Sequence, residues 1–109
     1  MNDLAQGKCK PCEGGVEPLG EAEAQELLKQ LHADWRLSPD AKSLTRACKF
    51  RDFWRTMSFV NALAHIANLE DHHPDLAIGY DHCRITYRTH SIGGLSVNDF
   101  ICAAKIDRL

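Results

Sequence analysis

Apolar positions recur along the chain with two periods, and each period is typical of one kind of secondary structure. Apolar residues three to four apart indicate helices buried on one side, and three segments have this spacing: 21–32, 52–68 and 96–109. Apolar residues that alternate with polar ones indicate half-buried strands, and four segments show at least partial alternation: 35–37, 43–50, 76–80 and 81–90. The predicted order of elements is therefore α-β-β-α-β-β-α.

The order of these elements indicates how they pack. Two hairpins separated by a helix form segregated antiparallel strands, which is typical of the α+β class. We predict a sandwich in which one four-stranded antiparallel sheet carries all three helices on one face. The other face would carry Arg84, Thr86 and Arg88, because these residues alternate with apolar ones, and it must meet water or another subunit.

Three of the six histidines are predicted at the ends of elements. The helix over 52–68 contains no Gly or Pro and must stop near His73, because Pro74 disfavours the α conformation in the residue before it. His72 and His73 therefore lie at a helix C-terminus. His90 ends a strand on its polar face, directly before a Gly-Gly loop of the kind that lets a ligand approach the backbone.

These histidines have three explanations. A histidine at a helix C-terminus interacts favourably with the helix dipole without any further role. Three imidazoles can bind a metal ion, although adjacent histidines rarely converge on one ion. An imidazole with its ordinary pKa of about 6.5 can also give and take a proton near neutrality. Surface histidines, a metal site and an acid-base site all remain open at this point.

Composition is that of an ordinary globular chain. Its 109 residues are 44% hydrophobic and 26% charged, which is typical of one domain. The net charge of −2 and the lack of a basic block argue against direct binding of nucleic acid. The sequence lacks a long apolar run and a basic-then-apolar start, so we expect no membrane span, no secretory signal and a cytoplasmic location.

The N-terminal stretch "KCKPCEGG" is rich in turn-forming residues. We predict a flexible N-terminal arm over 1–18 and a folded domain over 19–109. Cys9 and Cys12 form a Cys-x-x-Cys that could hold zinc or act in redox chemistry, but zinc needs two more ligands and a redox motif normally opens a helix after a strand. The odd total of five cysteines indicates reduced thiols.

A longer pattern connects the histidines with the segments around them. "HHP" at 72–74, Tyr80, "TH" ending in His90, and "GGLSVNDF" with Asp99 resemble the motif of the pterin-4a-carbinolamine dehydratases, also called 4a-hydroxytetrahydrobiopterin dehydratases. The similarity extends from about the first helix to the C-terminus and includes "DW" ending in Trp35. The family fold, an α+β sandwich of a four-stranded sheet and three helices, agrees with the order predicted from periodicity.

The resemblance implies an enzyme class and its partners. Members are hydro-lyases that remove water from a 4a-hydroxytetrahydropterin and give the quinonoid dihydropterin, which is recycled to tetrahydrobiopterin after aromatic amino-acid hydroxylation. The pterin is the substrate, and no metal or organic cofactor is needed. Members are homodimers or homotetramers, and an aromatic amino-acid hydroxylase is a possible protein partner.

The resemblance also implies roles for individual residues. His72 and His90 would be the proton-transfer pair, His73 would hold the pterin and stabilise developing charge, and Asp99 would orient an imidazole. The implied substrate-binding residues are Trp35, Asn68, His73 and Pro74. An aromatic wall suits a bicyclic ligand, but Trp35 could equally belong to the core, and Asp99 could equally cap its helix.

Position 68 departs from the family pattern. Members usually carry a charged residue, often Glu, four residues before the first histidine, where helical spacing would place it beside His72. This chain has Asn68. An amide can hydrogen-bond an imidazole but cannot electrostatically favour its protonated form, so we expect activity with an altered pH dependence.

Other relatives of this fold act by binding rather than turnover. They include a transcriptional coactivator and factors that assist assembly of ribulose-bisphosphate carboxylase in carboxysome-bearing bacteria. The alternative function is therefore that of a catalytically weak binding protein, with ribulose-bisphosphate carboxylase as a possible partner.

Overall fold

The computed structural model describes residues 4–10 and 17–109. In this part of the chain the elements follow the predicted order, and their bounds are: α1 Glu21–Leu28, β1 Arg36–Leu37, β2 Leu44–Lys49, α2 Phe53–Glu70, β3 Asp75–Ile78, β4 His82–Tyr87 and α3 Val97–Ile106. Two short 3-10 turns accompany them, at Leu4–Gln6 and His90–Ile92.

The four strands form one antiparallel sheet in the order β1-β2-β4-β3. The two central strands pair over their full length, from Leu44 opposite Tyr87 to Lys49 opposite His82. Pairing in this register places Leu44 and Cys48 of β2 on the same face as Cys83, Ile85 and Tyr87 of β4, because side chains alternate along a strand. The predicted α+β sandwich with a four-stranded antiparallel sheet is confirmed.

The core lies between the sheet and the helices. Along β4, Cys83, Ile85 and Tyr87 are buried, whereas Arg84 between them is exposed. The helix α3 is buried along most of its length, from Asn98 to Ala104. A helix that is apolar on nearly all sides needs cover on more than one side.

Part of that cover for α3 comes from the N-terminal segment. Leu4 is buried in the core cluster, the Lys105 ammonium donates to the Ala5 carbonyl at 2.9 Å, and Gly7 lies against the Ile101 side chain. Residues 4–10 therefore pack on α3, although the sequence indicates a flexible arm over 1–18. The division into an arm and a domain over 19–109 stays a prediction, and Cys12 lies outside the described residues.

Helix α2 ends at Glu70, earlier than the predicted stop near His73. The reason is Asp71, which adopts a left-handed conformation with φ 49° and ψ 44°. The His72 amide then donates to the Ala67 carbonyl at 3.1 Å, which is the long hydrogen bond of a Schellman motif. The chain reverses at Asp71, before Pro74 has any influence on the helix.

Strand β4 ends at Tyr87, not at the predicted residue 90. The Thr89 amide donates to the Gly94 carbonyl at 2.8 Å, so the chain folds back on itself here. His90 consequently begins a 3-10 turn that closes at Gly93, whose φ of 67° suits glycine. Across the described ranges 4–10 and 17–109, no helix is both long enough and apolar enough to cross a membrane.

Candidate active site

The most closely coupled pair of predicted site residues is His72 and Asp99. The Nε2 atom of His72 lies 2.6 Å from Oδ1 of Asp99, whose side chain is completely buried. The His72 ring also stacks on Tyr87, with ring centroids 5.5 Å apart and planes only 5° from parallel. These contacts fix the position and the orientation of one imidazole.

Asp99 uses its second carboxylate oxygen for the fold. Oδ2 accepts a hydrogen bond from the Ser96 amide at 2.9 Å and another from the Thr89 hydroxyl at 2.8 Å. The Ser96 contact is that of an N3 acid in a capping box, and a negative charge in the first turn of α3 also suits the helix dipole. Asp99 therefore caps α3 and holds His72 at the same time.

Two opposing effects act on the pKa of His72. Burial of the ring lowers the pKa, since a low-dielectric environment disfavours the cation. The hydrogen bond from the ring to Asp99 and the charge of that carboxylate act in the opposite direction and prevail. The pKa of His72 is consequently raised above its ordinary value of 6.5.

His73 faces away from this pair. Its Nε2 atom lies 3.0 Å from the side-chain oxygen of Asn68, and both residues are exposed. Helical spacing places Asn68 beside His72, but the helix has already ended at Glu70, and the left-handed turn at Asp71 rotates His72 inward. Asn68 is thus a partner of His73, not of His72.

A cavity of about 550 Å³ opens beside His72. Its wall combines the end of α2, the start of α3, the loop after β4 and the N-terminal segment, and the residues that line it are Cys9, Lys10, Leu69, Glu70, Asp71, His72, Thr89, Ser91 and Asn98. Most of these side chains carry polar groups. The cavity can therefore hold a small polar molecule against the His72 ring.

The other predicted site residues lie at different distances from this cavity. His90 is exposed and stands between the lining residues Thr89 and Ser91 without lining the cavity itself. Pro74 is partly exposed and precedes the first residue of β3. The structure therefore brings together His72 and Asp99 and leaves His73 and His90 on the surface.

Trp35 lies at the opposite end of α3. Its ring is buried, and its indole Nε1 donates to Oδ1 of Asp107 at 2.8 Å, an oxygen that Arg46 also contacts at 2.7 Å. Asp107 follows Asp99 by eight residues, which is about 12 Å along a helix axis. The geometry favours a core role for Trp35 over contact with a ligand near His72.

Some residues that line the cavity or contact His72 are not among the site residues predicted from the sequence. Tyr87 and Thr89 share the inward parity of β4, and that alternation is a signal that they approach the helices. Cys9 and Lys10 reach the cavity through contacts with residues about sixty and ninety positions away in the sequence. No local sequence pattern indicates contacts between segments that are so far apart in the chain.

His, Cys, Asp and Glu side chains are the usual protein ligands of a metal ion such as zinc. Within residues 4–10 and 17–109, no three His, Cys, Asp or Glu side chains are grouped so as to hold a metal ion. The expected absence of a metal or organic cofactor stays a prediction, and the zinc hypothesis for Cys9 and Cys12 involves a residue that lies outside these ranges.

Sequence comparison places the chain among known proteins. The model of the family described as "Pterin 4 alpha carbinolamine dehydratase" matches residues 17–109. A protein of Nitrosomonas eutropha is 56% identical over 107 residues, which cover 98% of this chain and 93% of the relative. A protein of Legionella pneumophila is 48% identical over 108 residues, with 99% and 96% covered. Both carry the name "Putative pterin-4-alpha-carbinolamine dehydratase".

Two solved structures share the fold. A "transcriptional coactivator/pterin dehydratase" from Brucella melitensis superposes with a TM-score of 0.79 at 32% identity, covering 84% of this chain and 97% of that one. A "pterin dehydratase-like protein" described as a RuBisCO assembly factor in the alpha-carboxysome gives a TM-score of 0.61 at 23% identity, covering 71% and 89%. At that identity, the second likeness concerns the fold alone.

Proposed function

Because the chain belongs to the pterin 4 alpha carbinolamine dehydratase family, we propose that it removes water from a 4a-hydroxytetrahydropterin and forms the quinonoid dihydropterin. The observation that carries this proposal is the His72–Asp99 pair, which presents an oriented imidazole in the wall of a cavity. The reaction needs one group to protonate the departing 4a-hydroxyl and another to remove the N5 proton. Imidazoles suit both steps near neutral pH.

The hydrogen bond to Asp99 assigns separate tasks to the two ring nitrogens of His72. A carboxylate accepts a proton but has none to give, so Nε2 of His72 carries the hydrogen that points at Asp99. In the neutral ring Nδ1 then has the free lone pair and can accept a proton from the substrate. Asp99 also stabilises the imidazolium that this transfer forms, which supports His72 as the base.

The cavity supports a pterin as the substrate. Small-molecule sites commonly enclose about 300–1,000 Å³, and the cavity beside His72, at about 550 Å³, falls within that range. Its lining is mostly polar, which suits the polar ring amide and amino groups of a pterin. His73 and His90 would act from the rim, His73 in binding and His90 as the second proton-transfer group.

An assay of 4a-carbinolamine pterin dehydration tests this function. The wild-type chain should accelerate dehydration over solvent, and His72→Ala and His90→Ala should each lower kcat by about 100-fold or more, as expected for a general acid or base. His65→Ala is the matched control, because His65 is an exposed histidine within α2 that does not line the cavity. Equal rates for the wild type and solvent, or equal losses in all three variants, would refute the proposal.

The physiological setting is part of the same proposal. Turnover of this substrate serves tetrahydrobiopterin recycling, in the cytoplasm, by a homodimer or homotetramer whose subunits meet through a surface such as the exposed sheet face. Size-exclusion chromatography with light scattering tests the assembly. A monomer at working concentration that retains full activity would remove the oligomer from the proposal.

A binding function is the second candidate. It is favoured by the name of the Brucella melitensis protein, which combines a coactivator with a dehydratase at 32% identity. The assembly-factor likeness, at 23% identity, gives no comparable support. The dehydration assay separates the two candidates, since a catalytically weak binding protein would accelerate dehydration little over solvent, and His72→Ala would leave that rate unchanged.

A further inference from the structure

The N-terminal segment brings a second chemical group to the wall of the cavity. The sulfur atoms of Cys9 and Cys102 lie 3.5 Å apart, although the two residues are 93 positions apart in the sequence. Cys9 is partly exposed and lines the cavity, whereas Cys102 is buried within α3. The carbonyl of His72 lies 4.0 Å from the Cys102 sulfur, so the thiol pair adjoins the candidate active site.

Hydrogen bonds on both sides of the pair hold Cys9 in place. The Cys9 amide donates to Oε1 of Glu70 at 2.9 Å. The next residue, Lys10, exchanges two hydrogen bonds with the Asn98 side chain, at 3.0 Å and 2.5 Å. Anchoring by α2 and α3 together keeps the two thiols in contact, so that little conformational entropy must be lost to join them.

The two sulfurs differ in acidity. The hydrogen bond from the Cys9 thiol lowers the pKa of Cys102, and the charge of His72 acts in the same direction against the effect of burial. The same hydrogen bond and burial raise the pKa of Cys9. The Tyr87 hydroxyl has no partner of ordinary hydrogen-bond geometry among the described residues, but it lies near enough to Cys102 to contribute to the lowered pKa. Cys102 is therefore the more acidic of the two thiols.

We propose that Cys9 and Cys102 are a redox modification site, at which a hydroperoxide converts the thiol pair into a disulfide that ties the N-terminal segment to α3. The proposal rests on sulfur contact and anchoring, and it does not depend on the dehydratase function. The sulfurs must approach by about 1.5 Å to reach the bond length of a disulfide. Cys9 can supply this movement because it lies outside the helices and strands.

The reaction balances with hydrogen peroxide as the oxidant. Peroxide reaches the partly exposed Cys9, whose sulfur attacks one peroxide oxygen. The Cys9 proton leaves with the other oxygen as water, and Cys9 becomes a sulfenic acid. The Cys102 sulfur then attacks the Cys9 sulfur, and the sulfenic hydroxyl leaves with the Cys102 proton as water. Each sulfur loses one electron, and the peroxide gains two.

The test uses the full chain, reduced, freed of reductant and treated with equimolar hydrogen peroxide. Peptide mapping without reduction should find a cross-link between the peptides of Cys9 and Cys102, with a mass lower by two hydrogens and two of the five thiols lost. Because the bond closes a loop of more than ninety residues, it should also raise Tm by about 10 °C. Reduction with dithiothreitol should reverse both changes.

Matched variants decide between cysteine partners. Cys12→Ser should leave the cross-link intact, whereas Cys9→Ser, a change at a partly exposed position, should abolish it and the Tm shift. Cys48 and Cys83 provide an internal control: they face each other across β2 and β4, but both are buried, so peroxide does not reach either sulfur and they should remain reduced. A bond between Cys9 and Cys12, a bond between Cys48 and Cys83, or no cross-link would each overturn the proposal.

Discussion

The Nε2 atom of His72 lies 2.6 Å from Oδ1 of Asp99, and this contact joins the chain reversal after α2 to the first turn of α3. The two residues are 27 positions apart in the sequence, and both depend on local structure for their placement. Asp71 turns His72 inward, and the capping geometry of α3 directs Asp99 toward it. Fold and candidate site are therefore stabilised by the same hydrogen bonds.

The first prediction concerns the protonation of His72. Its pKa is raised by Asp99, so an NMR titration of the ring should give a midpoint above 6.5, and Asp99→Asn should move that midpoint down. A raised folded-state pKa stabilises the protein fully below the unfolded value of about 6.5, and this contribution is lost as the pH rises through the folded pKa of His72.

Denaturant unfolding checks this sign. The free energy of unfolding should fall more between pH 6 and pH 9 in the wild type than in Asp99→Asn. His65→Ala should keep the wild-type pH dependence, because His65 is exposed and has no part in the pair. An equal or steeper fall of the free energy of unfolding in Asp99→Asn would contradict the ion pair between His72 and Asp99.

The second prediction concerns Thr89. Its buried hydroxyl donates to Oδ2 of Asp99 at 2.8 Å and lies 2.8 Å from the Ser96 hydroxyl. Thr89→Val keeps the shape but leaves both partners without this contact, so the free energy of unfolding should fall by about 1–3 kcal/mol. Thr45→Val is the control, since the partly exposed Thr45 hydroxyl has only a 3.3 Å contact to Thr86. Urea titration should show a smaller change there, and equal losses would be inconsistent with a special role for Thr89.

The third prediction separates the two roles considered for Trp35. Trp35→Phe removes the hydrogen bond to Asp107 and some core contact, so it should cost about 1–3 kcal/mol of stability. If Trp35 is a core residue, KM for the pterin should change by less than about 2-fold. Trp54→Phe is the matched control, because Trp54 is 77% exposed and should change stability by less than about 0.5 kcal/mol. A large rise in KM with unchanged stability would instead make Trp35 a ligand contact.

The sequence predicts the elements of this fold because the apolar periods are clear, as in β4, where Cys83, Ile85 and Tyr87 alternate with polar residues. It does not predict where α2 ends, because a non-glycine residue such as Asp71 adopts the left-handed conformation only when neighbouring contacts favour it. The restriction that Pro74 places on His73 gives only the latest position at which α2 could end, and the observed end, at Glu70, comes earlier.

The candidate site, like the fold, can be predicted from the sequence only in part. The residue types at 72 and 99 indicate proton chemistry, but their pairing depends on the tertiary fold. The packing of residues 4–10 on α3 is a long-range contact with only an indirect signal, the apolar run "FICAA", which leaves α3 with no fully polar side. A helix of that composition needs cover from the sheet and from another segment, and Leu4 lies in the core cluster that supplies it.

The last prediction concerns Asn68, which contacts His73 at 3.0 Å on the protein surface. Asn68→Glu places a carboxylate beside that imidazole and favours its protonated form, so the NMR midpoint of His73 and the pH profile of kcat/KM should both move to higher pH. The effect should be less than about one pH unit, because exposed charges are screened by water and salt. Asn61→Glu makes the same chemical change at another exposed position of α2 and should leave both profiles in place. If Asn68→Glu instead moves the midpoint of His72 and leaves that of His73 unchanged, position 68 acts on the partly buried His72, as helical spacing alone predicts. The observed contact between Asn68 and His73 would then have no effect on catalysis.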